Sequence, residues 1–148
     1  MADQRIKGQE TLVQVTQGGN LLAAFSAVAS FNDNQKSEIL EQGYLGETTN
    51  RHDDIFNGFE GSMQIHMPDQ SAMEFQAAVR ARQRREQPDL VFNIIRTMFY
   101  PNGETPTRTY VDVKWGAEPT NIGSRGDYVT LDCPFACDEV DDNLEGLL

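Results

Sequence analysis

Three groups of residues have side chains that could do chemistry. The run "HDD" sets His52 beside Asp53 and Asp54, an imidazole next to carboxylates, which is acid–base or metal-binding material. No nucleophile or partner base accompanies it. A small ligand-binding or hydrolytic β-barrel using these three residues is therefore the lesser alternative. In "CPFAC" stand the only two cysteines, Cys133 and Cys137. A zinc site takes about four ligands, and only His52 and His66 could be added, at no metal-like spacing. The pair reads as two ordinary thiols at a strand end, reduced in a cytoplasm. The third group, "RARQRR", places Arg80, Arg82, Arg84 and Arg85 on the last turns of a helix. A helix dipole favours cations there by about 0.3–1 kcal/mol each. Four arginines at successive angles cannot all face one phosphate backbone. In an acidic chain they suit carboxylates instead, and a neighbouring subunit is the favoured source. G-x-S-x-G, phosphate-loop, dinucleotide-loop and H-E-x-x-H patterns are all missing, so neither an enzyme nor a cofactor is expected.

The totals narrow the field further. A chain of 148 residues suits one domain, 1–148, with a single core. A formal charge of −11 repels nucleic acid and anionic membrane on average. Nothing approaches an apolar run of about 18 residues, so no spanning segment or membrane anchor is expected. "MADQRIKGQE" lacks the apolar core of a signal peptide, which predicts synthesis in a cytoplasm.

Most of the chain alternates with the period of two that strands show. Strands are expected at 11–17, 23–31, 62–67, 109–115 and 128–133, with 35–40 continuing or pairing with the second. The apolar run 90–100 reads as a central strand. A helix is expected over about 70–86: Ser71 and Glu74 have capping-box spacing, Ala72, Phe75 and Val79 form an apolar stripe, and Pro88 closes the segment. "GFEG" at 58–61 reads as a bend or bulge, and 138–148 as an acidic tail. The predicted class is mainly β, a sandwich or half-barrel with one α-helix packed on its side.

Residues 34–54 pose the main question, because a polar excursion leaves a compact body. Gly43 and Gly46 break regular structure around Tyr44 and Leu45, two large apolar groups. Open sheets also leave unpaired edges. Both problems vanish if edges pair with a second copy and the loop, about 41–57, lies on the next layer of subunits. That arrangement is a closed ring, stacked.

Taken together, "FNDNQKSEILEQGYLG", "GFEGSMQIHM", the helix near Glu74, the long apolar strand and "YVTLDCPFACDE" resemble tail tube proteins of tailed bacteriophages. The likeness is greatest to the small tube proteins of contractile tails and related phage-like particles, and spans about residues 20–138. Its short motifs fall on Lys36, Ser37, Glu38, Leu45, Gly46, Gly58 and Gly61. The resemblance implies a β-sandwich joined into hexameric rings. The rings stack into a hollow tube, a virion component made in the bacterial cytoplasm. Implied partners are further copies, a sheath, a tape-measure protein, and baseplate and terminator proteins. DNA would pass through without specific binding. A tail terminator or baseplate adaptor of the same fold is the structural alternative. On this reading the inter-ring loop carries Gly43, Tyr44, Leu45, Gly46, Glu47, Arg51 and Asp54. The polar strand positions Glu38, Glu41, Glu60, Gln64 and Asp112 are candidates to line the bore, since an acidic wall lets a polyanion slide.

Overall fold

The computed structural model describes residues 5–144. It contains ten strands: β1 (Thr11–Gln17), β2 (Asn20–Leu21), β3 (Val28–Gln42), β4 (Arg51–His66), β5 (Phe92–Met98), β6 (Thr107–Val111), β7 (Lys114–Trp115), β8 (Thr120–Asn121), β9 (Thr130–Cys137) and β10 (Glu139–Asn143). One helix, α1 (Ser71–Gln83), lies between β4 and β5. The strands form two antiparallel sheets, one in the order β10-β6-β5-β1-β2 and the other β3-β4-β9-β7, with β8 added on β9. This is the expected mainly-β, one-helix class.

Apolar alternation builds the core between the sheets. Val15, Ile65, Phe92, Ile94, Leu131 and Cys133 are almost wholly buried, each facing inward at period two. The strand at 90–100 is central, with β1 on one side and β6 on the other. Phe25, Phe75, Phe92 and Trp115 pack edge-on and stacked beneath α1, with Phe25 and Phe75 centroids 4.8 Å apart. Ala72, Phe75 and Val79 are the buried stripe of α1, as the spacing requires.

Several boundaries depart from expectation. Segment 23–31 is not one strand: Ala23–Phe25 is a 3-10 turn and β3 starts at Val28. The helix stops at Gln83 rather than near 86, because Arg85 takes a left-handed φ of 61°. Its N-cap is Gln70, and the Asp69 carboxylate accepts from the Ser71 amide at 2.8 Å, so Ser71 and Glu74 do not form a capping box. Segment 109–115 breaks at Asp112, where φ is 51°. Its first half pairs in one sheet and its second half in the other. The turn reverses the alternation, so Tyr110 is fully buried and Val111 half-exposed. The Asn93 carboxamide oxygen accepts from the Asp112 amide at 3.0 Å and steadies this corner. The supposed tail contributes β10, which pairs along all of β6, while its last four residues, 145–148, lie outside the described residues.

Candidate assembly surface, a projecting hairpin

β3 and β4 are longer than the sheet that carries them. They pair from Val28 with Ile65 out to Gln42 with Arg51, whereas β9 supports β4 only from Phe59 to His66. Residues 36–42 and 51–57 therefore leave the body as a two-stranded arm, roughly 23 Å long at strand rise. The expected loop 41–57 is mostly paired strand, and only 43–50 is a turn. Where third-strand support ends, one residue of β3, Lys36, opposes two of β4, Asn57 and Gly58, between the pairs Gln35–Phe59 and Ser37–Phe56. Gly58, at φ 92°, takes the extra position, which makes "GFEG" a bulge as its glycines suggested. A side chain there would run into the Cys137 carbonyl.

The arm carries large apolar groups in water on both faces. Strand alternation puts Ile39, Glu41, His52, Asp54 and Phe56 on one face. Glu38, Leu40, Asp53 and Ile55 occupy the other. Ile39 is 69% exposed and Phe56 52%. At the tip Leu45 is fully exposed beside Gly46, whose φ is 85°. The tip is nonetheless ordered by its own contacts. Arg51 Nε donates to Glu47 Oε1 at 3.0 Å, and its guanidinium lies 4.9 Å over the Tyr44 ring. The structure thus gathers Gly43, Tyr44, Leu45, Gly46, Glu47 and Arg51 at one point, while Asp54 sits along the strand.

A polar clamp roots the arm. Asp33 points inward on β3, toward the facing sheet. Its carboxylate accepts from Arg96 Nη1 of β5 at 3.1 Å and from the Tyr110 hydroxyl of β6, and lies 3.5 Å from Arg108 Nη1. Arg108 Nε donates to Asp142 Oδ1 of β10 at 2.6 Å. Burial, and then the hydrogen bond to Asp33, hold the Tyr110 phenol well above its usual range. Sequence reading missed these residues. The available signal was Asp33 at an inward parity position between Phe31 and Gln35.

The two sheets leave edges open on one flank. The outer edge of β3, 15 residues, has no partner strand among the described residues. β1 is covered only at Thr16 and Gln17.

The remaining sequence candidates separate. Glu38, Glu60 and Gln64 share the outer face of the β3–β4–β9 sheet. There Gln64 Nε2 donates to Asp132 Oδ1 at 3.1 Å and Lys36 pairs with Glu60 at 3.7 Å. Glu41 turns to the opposite face of the arm, and Asp112 sits at the inter-sheet corner, bound to Lys114 at 2.9 Å. Arg82 is used within the chain, donating to the Val113 carbonyl at 3.0 Å and the Leu90 carbonyl at 3.3 Å while lying over Phe92. Arg80, Arg84 and Arg85 are exposed, and their side chains have no hydrogen-bond or ion-pair partner among the described residues.

"HDD" does not assemble into a site. His52 Nε2 lies 3.1 Å from Glu41 Oε1 in the open, and Asp53 points to the other face, accepting from the Asp54 amide. No three His, Cys, Asp or Glu residues among those described could hold a metal ion. No helix among the described residues is long and apolar enough to cross a membrane. Cys133 and Cys137 are free and buried, and burial pushes both thiols up. Cys133 Sγ donates to Glu118 Oε2 at 3.7 Å, and burial raises the Glu118 carboxyl to about 7.

No family model matches this chain, and no curated relative does. Solved structures do. The anti-feeding prophage (AFP) baseplate, 6-fold symmetrised, holds a chain with TM-score 0.67 at 12% identity, covering 97% of both chains. The tail of an empty GTA particle, refined with C6 symmetry, gives 0.61 at 12% identity over 95% of this chain and 98% of that one. The SPP1 tail tube gives 0.57 at 13% identity over 94% and 79%. A sheath/tube terminator of an extracellular contractile injection system, PVC, gives 0.59 at 8% identity over 97% and 99%. The fold is that of tail tube, baseplate and terminator proteins.

Proposed function

We propose that this chain is a structural subunit that polymerises with copies of itself into stacked rings, six copies to a ring, forming a hollow tail tube. The observation that carries this reading is the uncovered strand β3, whose open edge runs directly into an arm with exposed apolar groups on both faces. An open edge of that length invites another strand, and soluble proteins normally blunt one. A neighbour in the ring covers the edge; a copy in the next ring covers the arm tip at Tyr44 and Leu45. Such contacts repeat head to tail, so stacking continues without closing.

The face bearing Glu38, Glu60, Gln64 and Asp132 turns to the bore. It is polar and carries more acid than base, and the chain's charge of −11 adds to the repulsion. Phosphates then slide past rather than bind. The tube acts as a passage for DNA within a virion, with a sheath outside and a tape-measure protein first inside. These are proposals drawn from the fold.

A second reading has specific support, since baseplate and terminator chains superpose on this one over nearly their full lengths. There the chain makes one ring and stops, as an adaptor or a terminator. Electron microscopy of the concentrated protein decides. Long hollow filaments support the tube, isolated rings the adaptor, and monomers at millimolar concentration overturn both.

A further inference from the structure

Resting on the self-assembly reading above, we infer that the outer stripe of α1 is the seat for the arm of a second copy. Met73, Ala77, Arg80 and Arg84 recur at i, i+4, i+7 and i+11, so they form one line on the helix opposite its buried stripe. Met73 is 64% exposed. Arg80 and Arg84 lack partners among the described residues, in a chain with an acidic excess of 11. Solvated surface arginines are ordinary; an exposed methionine in line with two unpaired arginines is a patterned surface.

The arm has the complementary pattern. Residues 36–57 hold two basic and five acidic side chains, a net charge of −3 with His52 neutral. Arg51 is spent on Glu47, and Lys36 on Glu60. One face continues the proposed bore lining, so the other is free to meet a neighbour. From root to tip that face reads Phe56, then Ile39 beside Asp54, then Glu41. Both strips therefore run from apolar to charged. Their lengths agree as well: 13 helical residues span about 20 Å, and the seven-residue arm roughly 23 Å. Phe56 and Ile39 lie on Met73 and Ala77, and Asp54 and Glu41 meet Arg80 and Arg84. Because stripe and arm are different surfaces of one molecule, the contact is heterologous and propagates.

The test is charge reversal in the full chain, read by sedimentation of polymer. Arg80→Glu with Arg84→Glu, or Glu41→Arg with Asp54→Arg, raises the critical concentration by roughly tenfold or more, since like charges then face each other. The fourfold variant restores assembly to within about threefold of the wild type. Circular dichroism checks folding; should a reversal variant misfold, Arg80→Gln with Arg84→Gln replaces it and is expected to weaken assembly in the same direction. Ile39→Cys with Ala77→Cys should cross-link between copies on oxidation of the polymer. A wild type that polymerises beside reversal variants that do so equally well, with no cross-link, overturns this inference and leaves the proposed function standing. A wild type that never polymerises removes both.

Discussion

Asp33 Oδ2 and Arg96 Nη1 lie 3.1 Å apart across the space between the two sheets. Asp33 belongs to the strand that becomes the projecting arm, and Arg96 to the central strand of the facing sheet. The arm is thereby held to the body at its root, while among the described residues its far end pairs only within the hairpin.

Asp33→Ala strips the counter-charge from Arg96 and the acceptor from the Tyr110 hydroxyl, and leaves Arg108 with Asp142 alone. The two arginine side chains are largely shielded from water, 15% exposed for Arg96 and 27% for Arg108. Leaving Arg96 and the Tyr110 hydroxyl unpaired should cost about 2–3 kcal/mol in a urea titration. A change below about 0.5 kcal/mol, the level of a neutral surface substitution, would show the clamp to be idle.

Leu45→Asp tests the tip. Leu45 touches little of its own chain, so stability should stay within about 0.5 kcal/mol of the parent. Polymer recovered by sedimentation should disappear at concentrations where the wild type assembles fully. A variant that still forms filaments of normal length would remove the tip from the inter-ring contact.

Two glycines separate packing from backbone strain. At Gly61 an added methyl would collide with the Asn32 carbonyl and the Phe135 ring, inside the sheet. Gly61→Ala should lose at least about 3 kcal/mol or fail to fold. At Gly46 nothing lies within 4 Å, but φ is 85°. There alanine should cost only about 1–2 kcal/mol, from the left-handed conformation alone. Equal losses at both sites by thermal melting would contradict this.

Glu118 predicts a pH slope. Burial raises its folded carboxyl to about 7, above the unfolded value near 4.5, so the native state binds more proton across that window. Stability is then greatest below about pH 4.5 and declines as pH rises to 7, by on the order of 1 kcal/mol, because the half-exposed group is partly screened. Glu118→Gln should flatten this part of the profile. An unchanged slope in urea titrations at pH 5 and pH 7.5 would reject the assignment.

What could be read beforehand follows from where burial writes a period into the sequence. Strands β1 and β9 and the later part of β4 each bury one face, so Val15, Leu131 and Met63 declare themselves by alternation, while β5 shows itself as a continuous apolar run. The helix was legible because Ala72, Phe75 and Val79 recur at helical spacing. The arm was misread as loop because neither of its faces is buried: Ile39 and Leu40 are adjacent, as are Ile55 and Phe56, which gives no period of two. The corner at Asp112 was hidden because only a left-handed backbone, not the side-chain pattern, reverses the faces there. Arg82 could not be told from Arg80 and Arg84 by type or neighbourhood. The carbonyls that hold it, at Leu90 and Val113, arrive through tertiary folding.

The bulge at Gly58 sets how the arm itself can vary over time. It sits at the boundary where β9 ceases to accompany β4, so residues can be gained or lost there without shifting the paired, core-forming register beyond Phe59. Deleting Gly58 would leave Asn57 alone opposite Lys36 and keep Phe56 opposite Ser37, so Phe56 and Asp54 stay on one face of the arm and Ile55 and Asp53 on the other. Loss of the extra residue would thus straighten β4 at the root and change the direction in which the arm leaves the body, with every side chain kept on its own face.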